Sequence, residues 1–192
     1  MTAASTVRQA ASLLLSYPER DWPARCALVE DALHPAVPGE PARLLADFCR
    51  ATAAVPVLDL AARYVTTFDR SRRRTLHLTY YTDGDTRRRG ASLVRLKSLY
   101  RAHGWEPAGG ELPDFLPAVL EFAARCPEPG RALLVEHRPA LELLHAALTK
   151  HTSPYADVVR AVLLTLPDPT SGDLSRVRHL AQAGPPSESV GL

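Results

Sequence analysis

Residue types capable of chemistry are present in this chain, but their spacing completes no catalytic template. Glu142-Leu143-Leu144-His145 sets a carboxylate and an imidazole three residues apart on one helix face, the ligand pair of di-iron helical bundles. Such a centre needs a second Glu-x-x-His and two further glutamates on facing helices, and the sequence has no second pair. Gly90-Ala91-Ser92 begins like a nucleophile elbow but lacks the glycine that must follow the serine. Neither a phosphate-cradling glycine pattern nor His-Glu-x-x-His occurs. Cys26, Cys49 and Cys126 are odd in number and far apart, which fits buried reduced thiols and neither a disulfide framework nor a Cys-x-x-Cys metal site. The expectation is a protein that is no enzyme, with no metal and no bound cofactor.

Charge is distributed more tellingly. Between Asp69 and Arg101 stand ten basic residues, Arg70, Arg72, Arg73, Arg74, Arg87, Arg88, Arg89, Arg95, Lys97 and Arg101, against three acidic ones. The remainder holds 13 basic and 18 acidic residues, so a basic region lies on an acidic body. That pattern suits a nucleic-acid-binding helical regulator, or docking to an acidic partner, or arginines fixing carboxylates within the domain. Against nucleic acid, no aromatics are interleaved with the arginines as a stacking platform, and the pI of 8.5 is modest.

The elements that must position these residues are helices. Of the 192 residues, 46% are apolar and only 6% aromatic, so Ala, Leu and Val fill the core. Most of the 17 prolines fall between apolar-periodic segments or in first turns, where they are tolerated. The period predicts helices over Thr6–Ser16, from Asp21 through Leu33, to about Ala54, and over Val57–Phe68. Thr75–Thr82 has strand-like composition but no partner strand, and is assigned as a short helix. Asp85 is expected to N-cap Thr86–His103, with Gly90 as a helix-crossing point, and Asp114 to N-cap a helix through Cys126. Pro127–Gly130 reads as a break. Arg131–His137 and Pro139–Lys150 follow, then Tyr155–Leu166 and a short helix over Leu174–Ala183. The fold class is all-α: a single-domain bundle of eight to nine helices over residues 1–168, with a polar, largely disordered, flexible tail over 169–192. No apolar run approaches the ~18 residues of a membrane helix, so membrane insertion is not expected and the location is cytoplasmic.

Three motifs remain that no chemistry absorbs. They are Tyr64-Val65-Thr66-Thr67-Phe68-Asp69, Gly84-Asp85-Thr86-Arg87-Arg88-Arg89-Gly90 and Glu111-Leu112-Pro113-Asp114-Phe115-Leu116-Pro117. With Leu76-His77-Leu78, Tyr100…Gly104 and Leu120-Glu121, in this order and spacing, they resemble the nitrate reductase delta-subunit family of molybdenum-cofactor assembly chaperones. The resemblance covers about a third of the chain in motifs and most of it in helical layout.

The resemblance implies a cytoplasmic, non-catalytic chaperone. It would bind the N-terminal segment of the apo catalytic (alpha) subunit of nitrate reductase and hold it for molybdenum-cofactor insertion before membrane docking. Molybdenum-cofactor biosynthesis proteins are further implied partners, and nucleic acid is not. Relatives often carry histidine after the Pro-Asp pair, where this chain has Phe115, so a hydrophobic pocket wall is expected there. A client helix would lay its apolar face on Tyr64, Phe68, Leu78, Phe115 and Phe122. Its polar residues would meet Asp69, Asp85, Arg87, Arg89, Asp114 and Glu121.

Overall fold

Proline, glycine and apolar spacing set helix after helix in the computed structural model, which describes residues 2–34, 37–107 and 110–186. The first four helices are α1 (Ala3–Leu15), α2 (Trp22–Leu33), α3 (Glu40–Ala53) and α4 (Val57–Tyr64). A π-helical turn, Val65–Asp69, and a 3-10 turn, Arg72–Arg74, lead into α5 (Leu78–Asp83) and α6 (Arg87–Ala102). Five more follow: α7 (Leu116–Arg125), α8 (Pro127–Glu136), α9 (Arg138–Lys150), α10 (Tyr155–Leu163) and α11 (Ser171–Ala183). The described residues thus hold eleven α-helices and no named strand, an all-α fold with more helices than the eight to nine expected.

α1 and α7 form the centre. α1 reads as amphipathic, yet it is buried nearly all round because α2, α3, α7 and α10 pack on different sides of it. Its small and polar residues make that possible. Ser12 donates to the Pro117 carbonyl at 2.8 Å, and the buried Arg8 donates to the carbonyls of Ala123 and Thr165. Those carbonyls lie at or near the C-terminal ends of α7 and α10, where a cation is favoured. Eight of the twelve aromatics gather in two clusters. Trp22, Phe48, Tyr155, Phe68 and Tyr64 form one chain of rings, while Tyr100, Trp105 and Phe122 form the other.

Several expectations are corrected. Pro127–Gly130 is no break but the first turn of α8, because the two prolines sit where free N–H groups need no partner. The close helix crossing is at Gly130, where a Cβ would lie 2.2 Å from the Ala123 Cα, and not at Gly90, where a Cβ would meet nothing within 4 Å. Within the expected tail, the short helix read over Leu174–Ala183 is present as α11, longer at its start, where a reciprocal Thr170–Asp173 capping box opens it, and packed on α9. The expected disorder of Gly184–Leu192 falls mostly outside the described residues. Pro186, which is described, seats its carbonyl against Gly84, whose φ of +59° and lack of a side chain permit the approach.

Candidate functional site

Two short segments, distant in sequence, are tied together under the site. The Leu78 N–H donates to the Asp114 carbonyl at 3.0 Å and the Leu116 N–H to the Leu76 carbonyl at 2.8 Å, an antiparallel bridge between His77 and Phe115. This explains the strand-like composition before α5: Leu76 and Leu78 alternate into the core, leaving His77 and Thr79 for other work. Both reach Asp114. Thr79 Oγ1 donates to one carboxylate oxygen at 2.5 Å, His77 Nδ1 lies 3.1 Å from the other, and Arg89 donates from 3.4 Å.

Asp114 is therefore not an N-cap. Phe115 holds the cap position of α7, and the Asp114 side chain is fully buried beneath the two segments. Burial pushes its carboxyl up, but hydrogen bonds from His77 and Thr79, with the charges of His77 and Arg89, outweigh that and hold it below the ordinary carboxylate range. Asp85 is not a cap either. Thr86 takes that position, and Asp85 stands in solvent between Arg72 at 3.9 Å and Arg89 at 3.8 Å. Arg89 thus links the buried carboxylate to the exposed one.

Above this hub lies an open groove of about 370 Å³. Tyr64 and Phe68 form one wall, Phe115 and His77 another, and Asp69, Arg72 and Asp85 the rim. The π-helical turn re-aims the wall, since the Arg70 N–H bonds back five residues to Val65 and moves Phe68 and Asp69 out of α-helical register. Arg74 holds the turn by donating to the Thr67 carbonyl at 2.8 Å. Tyr81 anchors the following loop through the carbonyls of Arg73 and Thr75.

Of the residues singled out by sequence, Tyr64, Phe68, Asp69, Asp85 and Phe115 line this groove, and Asp114 and Arg89 lie beneath or beside it. Leu78 and Phe122 are fully buried in the core, so they offer a client nothing. Tyr64 and Phe68 are also largely buried, and the Tyr64 hydroxyl donates to the Leu15 carbonyl, so they present only edges. Glu121 pairs with Arg125 and lines a separate shallow hollow with Glu111. Arg87 stands exposed at the start of α6, away from the groove lining. Sequence reasoning missed His77, Thr79, Arg72 and Tyr80. The signal for the first two was available: a polar residue alternating with buried leucines must point at something.

The His77–Asp114 pair has the orientation of a base and its orienting acid. Among the described residues, however, no hydroxyl or thiol is hydrogen-bonded to the other ring nitrogen, and no group of three metal-ligating side chains occurs. In class, then, this is a helical protein with an aromatic-walled groove over a buried charge hub. A crystal structure of a redox enzyme maturation protein from Archaeoglobus fulgidus shares the fold, with a TM-score of 0.61 and 22% identity over 82% of this chain and 90% of that one.

Residues 31–161 match the nitrate reductase delta subunit family, and the chain belongs to that family. It is 33% identical to the nitrate reductase molybdenum cofactor assembly chaperone NarJ of Bacillus subtilis, over 82% of this chain and 86% of NarJ. It is 36% identical to NarJ of Escherichia coli, over 76% of this chain and 63% of that one. Against the nitrate reductase-like protein NarX of Mycobacterium tuberculosis it is 43% identical over 83% of this chain, but it spans only 24% of NarX.

Proposed function

We propose that this chain is an assembly chaperone for a respiratory nitrate reductase. It binds the N-terminal segment of the apo catalytic (alpha) subunit and keeps it competent for molybdenum-cofactor insertion before membrane docking. Molybdenum-cofactor biosynthesis proteins are the further partners, and the cytoplasm is the place of action. The observation that carries the reading is the open groove between the Tyr64-Phe68 wall and Phe115, in a chain whose relatives are named as nitrate reductase molybdenum cofactor assembly chaperones. An amphipathic helix laid in it would bury apolar side chains against Phe68 and Phe115, with basic residues facing Asp69 and Asp85. Asp69 pairs with no cation among the described residues, so it is available to a client. Consistent with a protein partner, Arg72, Arg89, Arg95 and Arg101 already face carboxylates, which disperses the basic region that nucleic acid would need.

The test is calorimetry with a synthetic peptide of the catalytic subunit's N-terminal segment. Binding is expected for the native chain and a loss of about tenfold or more for Phe115→Asp, because a charge would enter the apolar wall. An absence of heat at peptide concentrations of about tens of micromolar, which a Kd near 1 µM would not allow, refutes the reading if circular dichroism shows the protein folded.

A further inference from the structure

A second recess flanks the same helix on the other side of Tyr64. Toward its N-terminus, α4 passes a second, largely apolar hollow of about 510 Å³, lined by Val57, Leu58 and Ala61 and by the segment Tyr17–Asp21, of which Tyr17 and Pro18 are the apolar part. One helix face supplies both recesses. Val57, Ala61 and Tyr64 succeed one another at steps of four and three residues, one stripe of α4, and the π-helical turn that follows carries Phe68 on from it. Tyr17 joins the two: it lines the second hollow and packs edge-on, 5.3 Å between centroids, against the Tyr64 ring that lines the first.

Exposure marks the hollow as unfinished. The described chain leaves six large hydrophobics in solvent, and two of them, Leu58 at 84% and Tyr17 at 45%, stand together here. A single exposed leucine needs no explanation, but two apolar side chains around one recess mark a contact surface. The geometry points to a second anchor subsite for the client helix itself, an inference that rests on the function proposed above. From Val57 to Asp69 the wall runs about 18 Å at a helical rise of about 1.5 Å per residue. One client helix of about twelve residues spans it. That client carries two large apolar side chains on one face, about two to three turns apart, one for each recess.

Leu58→Asp is the discriminating variant, because Leu58 is too exposed for the change to unfold the protein, and circular dichroism verifies this. Three synthetic peptides serve as probes: the N-terminal segment of the catalytic subunit, and the same segment shortened by about two turns from either end. Leu58→Asp is expected to weaken the full segment about tenfold or more. One shortened peptide is expected to bind native and Leu58→Asp protein equally, since it no longer reaches the hollow. Equal affinity of native and variant protein for the full segment overturns the second subsite while leaving the groove intact. A native dimer that Leu58→Asp turns into a monomer in sedimentation also overturns it, assigning the hollow to contact between copies. Failure of the native chain to bind any of the three peptides refutes the proposed function and this extension with it.

Discussion

Replacing Asp114 with Asn tests whether the buried carboxylate holds the groove floor. The change keeps size and shape but removes the charge that accepts from Thr79 at 2.5 Å, His77 at 3.1 Å and Arg89 at 3.4 Å. A hydrogen bond to a charged group contributes about 1.5–3 kcal/mol, and an amide can serve only part of this donor set. Water can reach His77 and Arg89, whose side chains are 34% and 19% exposed, and it recovers some of the loss. The net destabilisation should be about 3 kcal/mol, or a fall in Tm of about 6–12 °C for a chain of this size. The pH dependence gives an independent check. The Asp114 carboxyl is held below its ordinary value, so its stabilisation is complete above the unfolded-state pKa of about 4 and is lost as pH falls through the folded-state value. Urea unfolding followed by circular dichroism at pH 7 and at steps down to about pH 3 should show the gap between native and Asp114→Asn protein narrowing in the acid range. A gap under about 0.5 kcal/mol at pH 7, or one that stays constant with pH, would refute the account of the hub.

Gly130→Ala should destabilise by about 1–3 kcal/mol in thermal melts, since the added methyl meets the Ala123 backbone and must push α7 and α8 apart. Gly90→Ala, with nothing within 4 Å, should stabilise by about 0.5–1 kcal/mol through helix propensity alone. Under a thiol reagent in native buffer, Cys126 should react first and the buried Cys26 and Cys49 only as fast as the protein opens; equal rates for all three would contradict the packing of α2 on α3. Phe68→Ala should cost about 3–5 kcal/mol in urea unfolding, because its ring packs on Tyr64 and Tyr155 at 4.8 Å from each.

The helices were legible because their signals are local. Apolar spacing and proline positions placed most boundaries within a few residues, and the short helix at α5 was found despite its strand-like composition. The two Asp residues were misread for one reason. An Asp before a helix is so often a cap that its neighbours do not reveal another duty: Asp85 turns to Arg72 and Arg89, and Asp114 is held by residues 25 to 37 positions away. Leu78 and Phe122 failed similarly: periodicity tells which side chains are apolar, but not which helix will cover them. Gly90 and Gly130 both sit in helices, and only the neighbour across the interface separates the glycine that is needed from the one that is merely tolerated.

The bridge between His77 and Phe115 also does something to the chain's topology. By pinning residues 76–78 to 114–116 it makes everything between them a closed loop, and α6 is the longest element in that loop. Of the sixteen residues of α6 only Leu96 and Tyr100 are buried, so the first two turns of that helix have little stake in the core. Such a segment opens and recloses as its own unit, and its amides should exchange hydrogen well before those of α1 or α7. Lengthening a closed loop is also inexpensive, about 0.6 kcal/mol for each doubling. The turn after α6, near Gly104, is therefore where an added peptide or whole module can be carried with the groove walls left in register.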